Sequence, residues 1–97
     1  MPHQMTGTKI VVGIAWFQKE DWGRLKQLCP DRDEMYETYN IWLAEAKAVE
    51  RKLKKLGHKI VRVPVISDEL AGWCALRARV PNQDARAEYV NEKVRSD

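Results

Sequence analysis

One apolar stripe dominates this sequence. Met35, Tyr39, Trp42, Ala46, Val49, Leu53 and Leu56 recur at intervals of 4, 3, 4, 3, 4 and 3 residues, the period of a helix with one buried face. The spacing predicts a helix over 33–56, with Asp31, Asp33, Glu34 and Glu37 at its start and Lys52, Lys54 and Lys55 at its end. Both groups answer the helix dipole, and Gly57 supplies the stop. A short β-branched run stands on either side, KIVVGIA at 9–15 and KIVRVPVI at 59–66. In the first run both alternating sets, Ile10/Val12/Ile14 and Val11/Gly13/Ala15, are apolar, so this strand is covered on both faces. Strands joined by so long a connection pair in parallel, through a right-handed crossover with helices on both faces.

Three shorter helices complete the pattern. Residues 18–28 place Glu20 and Asp21 in a first turn and end at Cys29-Pro30. Residues 67–76 carry Leu70, Trp73, Cys74 and Leu76 behind Ser67, which reads as the N-cap. Residues 84–94 carry Ala85, Tyr89, Val90 and Val94. The expected fold is α/β, in the order β-α-α-β-α-α, around a small two-stranded parallel sheet. At 97 residues the chain makes one domain, 9–97, behind a loose tail at 1–8. A two-stranded sheet is barely self-sufficient. Pro64 blocks one edge, so growth is expected at the first strand, as a homodimer with strand order 2-1-1′-2′; the alternative is a monomer whose tail or last helix covers that edge.

The sequence excludes more functions than it suggests. No apolar run reaches the ~18 residues of a membrane span, and no charged-then-apolar leader opens the chain. Cys29 and Cys74 fit neither a disulfide framework nor a zinc pattern, which implies reduced thiols and a cytoplasmic setting. No glycine-rich loop follows either strand, so no nucleotide cofactor is expected. Glu20, Asp21, Asp68 and Glu69 would repel a phosphate from the crevice beyond the strand ends. The same acids could hold a hard cation, the basis of a metal-dependent enzyme, but acids in first turns are far more often dipole partners. Ser67 has no histidine near it in sequence to activate it, and His58 sits between Gly57 and Lys59 without a nameable partner. No catalytic, cofactor-binding or metal-binding residue is assigned.

Four tryptophans against one phenylalanine are unusual. Trp42 and Trp73 fall on buried helical stripes and serve as core bulk. Trp16 and Phe17 are adjacent at a strand exit and cannot both face one layer. Together with Trp22 and Tyr36 they form the candidate protein-binding surface. The second candidate is a nucleic-acid face made by Arg51, Lys54, Lys55 and Lys59. It draws on a charge imbalance, net −2 over 1–45 and net +5 over 46–97.

The stretches GIAWFQKEDW, DEMYETYNIWLAEA, VPVISDELAGWCALR and DARAEYVNEK together resemble a group of short, stand-alone, uncharacterised bacterial proteins. The likeness rests on the Gly-Ile-Ala-Trp strand exit and the Ala-Arg-Ala-x-Tyr ending, and covers 9–95. It implies a bacterial cytosolic domain and carries no activity or site. The reading is a non-catalytic interaction or adaptor module, with nucleic-acid binding as the alternative and an acidic-crevice enzyme as the weaker one.

Overall fold

Both β-branched runs form strands, β1 (Val11–Trp16) and β2 (Lys59–Pro64), in the computed structural model, which describes residues 11–95. The tail expected over 1–8 and the first two residues of the expected first strand lie outside the described residues. Four α-helices follow the expected order: α1 (Trp22–Leu28), α2 (Tyr39–Lys55), α3 (Ser67–Leu76) and α4 (Gln83–Arg95). Short 3-10 turns at Lys19–Asp21 and Arg32–Glu34 precede α1 and α2. The strands pair in parallel with Gly13 opposite Val61 and Ala15 opposite Val63, so the fold is α/β around a two-stranded sheet.

The two faces of this sheet carry different helices. Gly13, Ala15, Val61 and Val63 share one face, and α4 lies on it. A Cβ built on Gly13 would stand 2.5 Å from Val94 Cγ2 and 2.9 Å from Val90 Cγ1, so the glycine is what lets α4 approach. Ile14, Trp16 and Arg62 share the other face, beneath α2. There Trp42 meets the Trp16 ring edge-on at 5.2 Å, and Glu50 accepts two 2.8 Å hydrogen bonds from Arg62. Leu25, Cys29, Val65 and Leu70, all fully buried, extend the core beyond the strand ends toward α1 and α3.

The stripe helix begins later than its spacing predicts. Thr38 Oγ1 accepts the Ile41 N–H at 3.2 Å and caps α2 at Tyr39, so no acid lies in its first turn. The preceding residues are held back along α1 instead. Arg32 donates to the Lys26 and Gln27 carbonyls at the end of α1, and Lys26 donates to the Tyr36 carbonyl. The far end of the stripe is also looser than expected, with Val49 and Leu56 exposed.

Two helix ends carry the same hydrogen-bond pattern with different residues in the left-handed position. After α2, the Gly57 and His58 N–H groups reach back to Lys54 and Leu53, with Gly57 at φ +91°. After α3, Ala78 and Arg79 reach back to Ala75 and Cys74, with Ala78 at φ 53°. An L side chain in this region costs ~1–2 kcal/mol, partly offset by the unfolded-state freedom that glycine adds. Ala78→Gly is therefore expected to stabilise by about 0.5–1 kcal/mol and Gly57→Ala to destabilise by about 1 kcal/mol. Urea midpoints with unchanged slopes check both.

Candidate interaction surface

The aromatic residues at the β1 exit pack mainly on one another. Phe17 and Trp22 are 7% and 8% exposed and belong to the core. Their rings lie 5.7 Å apart, and both contact Trp42, at 4.9 and 6.0 Å. Tyr39 closes the group against Trp22 and Trp42, and its hydroxyl donates to the Phe17 carbonyl. Trp22 Nε1 is buried without a partner among the described residues. Trp16 is half-buried, with the Arg62 guanidinium 3.9 Å over its ring. Tyr36 is 45% exposed. Of the four residues singled out as a binding surface, two are therefore internal, while Trp16 and Tyr36 reach the surface.

The hollow at the β1 exit has a volume of about 300 Å³ and is lined by Phe17, Met35, Tyr36, Trp42, Gln83 and Arg86 among others. Trp42 and Arg86 come from helices on opposite faces of the sheet, so they meet where the sheet ends. A second hollow of about 230 Å³ adjoins it through Gln83 and Arg86 and runs along Gly13, Ala15, Ala87 and Asn91. The two make one open trough beside β1.

Arg86 is the residue that sequence reasoning missed. It is buried, donates to both Asp31 carboxylate oxygens at 2.9 and 3.0 Å, and also donates to the Pro81 carbonyl. The hydrogen bonds from Arg86 hold the Asp31 carboxyl below its ordinary range. The signal was its spacing. Arg86 precedes Tyr89 and Val90 by three and four residues and so shares their buried face. Cys29 lies beside it, with its thiol pushed up by burial, as is that of Cys74. Both are inert structural thiols.

The free edge of β1 borders the trough. The Trp16 carbonyl accepts the Val65 N–H at 3.0 Å, so Trp16 turns its backbone groups toward β2. Alternation turns those of Val12 and Ile14 the same way and those of Val11, Gly13 and Ala15 outward. Among the described residues no strand pairs with that edge. Edges are normally guarded by charge or proline. β2 has Lys59, Arg62 and Pro64, whereas VVGIAW has neither.

The acidic crevice does not assemble. Asp21 accepts 2.7 Å hydrogen bonds from the Ser67 N–H and hydroxyl, and so does the capping expected of Ser67, while Ile66 takes the N-cap position of α3. Asp68 pairs with Arg24, Glu69 lies on the Tyr89 side of the molecule, and Glu20 is exposed. Among the described residues no three metal-ligating side chains converge. His58 is half-buried. Arg51, Lys54, Lys55 and Lys59 do gather, all exposed, where α2 ends and β2 starts. No helix of the described residues is long and apolar enough to cross a membrane. Compared with models of protein families, with curated proteins and with solved structures, the chain matches none of them.

Proposed function

We propose that this chain is a non-catalytic protein-interaction module of the bacterial cytosol, and that it acts as a homodimer joined at β1. The unguarded outer edge of β1 carries the reading. It offers outward backbone groups on Val11, Gly13 and Ala15 beside an open trough, the arrangement to which another strand adds. The non-catalytic part of the reading rests on the acids and thiols that are already engaged: Asp21 serves Ser67, Asp31 serves Arg86, and both thiols are buried.

Sedimentation tests it. The wild type is expected at twice the 11.3 kDa chain mass at high micromolar concentration. Val11→Pro removes an outward N–H from an exposed first strand position that tolerates proline. It is expected to weaken association at least ~10-fold, about 1.4 kcal/mol, with the circular dichroism unchanged. A wild type that stays at 11.3 kDa contradicts the reading.

The clustering of Arg51, Lys54, Lys55 and Lys59 favours nucleic-acid binding as the second reading, since none of the ion pairs among the described residues involves them. If phosphates are its ligands, a mobility shift at ~50 mM salt disappears as salt rises and in Lys54→Glu/Lys55→Glu. No shift at low salt removes this reading.

A further inference from the structure

We infer that the homodimer interface has a second half, an uncharged stripe of α4 made by Gln83, Ala87 and Asn91, which packs against the same stripe of a second copy. This inference rests on the β1-edge reading and specifies how that edge is completed.

Six of the thirteen residues of α4 are charged: Asp84, Arg86, Glu88, Glu92, Lys93 and Arg95. One exposed line of the helix carries none. Gln83, Ala87 and Asn91 follow one another at four-residue spacing, all three are exposed, and all three line the trough beside Gly13 and Ala15. That trough is on the outer side of β1. The hollow on the β2 side is lined by other α4 residues, Tyr89 and Lys93. The uncharged line therefore flanks the unguarded strand edge, and the two surfaces are continuous.

A two-fold axis joins both surfaces at once. Gln83 and Arg86 line the hollow at Phe17, past the β1 exit, while Val90 and Val94 lie over Gly13, so α4 runs antiparallel to β1. A dimer axis that sets β1 antiparallel to its copy sets α4 antiparallel to its copy as well. Helices packed on each other lie roughly 8–10 Å apart. Ala87 permits that approach and faces Asn91 of the second copy, so that Ala87 and Asn91 flank the two-fold axis and Gln83 lies at the end of the stripe. The charges outside the stripe agree with this direction. The acidic start of one α4, at Asp84, meets the basic end of the other, at Arg95, and neither residue is in the ion pairs among the described residues. A parallel arrangement would set like charges together.

The test mixes two single-cysteine variants, Ala87→Cys and Asn91→Cys. The native Cys29 and Cys74 are 0% and 2% exposed and stay silent. In mild oxidant the mixture is expected to form the 87–91 mixed disulfide at least ~10-fold faster than a control pairing Ala87→Cys with Gln27→Cys, an exposed position on α1. Ala87→Glu, also at an exposed site, is expected to weaken sedimentation dimers at least ~10-fold without changing the circular dichroism. Dimers that Val11→Pro breaks but Ala87→Glu leaves intact, with no preferred 87–91 link, overturn the stripe and leave the β1 edge standing. A wild-type monomer overturns both.

Discussion

Asp31→Ala is expected to destabilise the fold by about 3–5 kcal/mol, the usual cost of stranding one member of a buried pair. The side chains of Arg86 and Asp31 are only 11% and 16% exposed, and the pair ties the loop after α1 to α4. Without the carboxylate, the Arg86 guanidinium is left with the Pro81 carbonyl and the Cys29 thiol as partners. Replacing both, as Asp31→Leu/Arg86→Met, is expected to cost much less, because no charge is then left buried. Acid gives the same answer by another route. The folded Asp31 carboxyl sits below its ordinary value, so its contribution is complete at neutral pH and fades as pH falls through the folded value. The acid limb of the stability profile is expected to flatten in Asp31→Asn. Urea titrations between pH 7 and pH 3 check this, and parallel limbs for wild type and variant would contradict it.

The second large effect reverses an ordinary rule. Alanine in a strand interior is normally more stable than glycine by ~0.5–1 kcal/mol. At position 13 the sign is expected to invert, with a loss of about 1–3 kcal/mol. The new Cβ would stand 2.5 Å from Val94 and 2.9 Å from Val90, and valine side chains are stiff. In a chain of this size 1 kcal/mol moves Tm by roughly 4–8 °C, so thermal melting resolves the change easily. Val94→Ala opens the space, so Gly13→Ala is expected to cost less in that background. Equal costs in the two backgrounds would mean that α4 does not rest on Gly13.

The order of elements was legible because the two periodicities are unambiguous. Both faces of VVGIAW are apolar, and the stripe through Trp42 and Ala46 leaves no choice of face. The start of α2 departs from the spacing: Met35 fits the stripe, but Thr38, three residues before the Ile41 N–H that it binds, is the cap. What overrides the spacing is non-local: Arg32 capping α1, and Asp31 held by Arg86, 55 residues away. The candidate surface was half legible. Trp16 and Tyr36 reach solvent, but Phe17 and Trp22 turn inward because Trp42 and Tyr39 offer them ring partners, which depends on how α2 crosses the sheet. The uncharged line of α4 is present in the sequence, but only the fold sets it beside Gly13 and Ala15.

The proposed edge has a direct residue-level signature. The N–H groups of Ile14 and Gly13 are neighbours in sequence, yet one faces β2 and the other faces outward. Amide hydrogen exchange separates them. If β1 pairs with its copy, the Gly13 and Ala15 amides are protected at high protein concentration and lose that protection on dilution, while Ile14 stays protected throughout. Gly13 and Ala15 amides that exchange freely at every concentration, beside a protected Ile14, would contradict a dimer built on this edge.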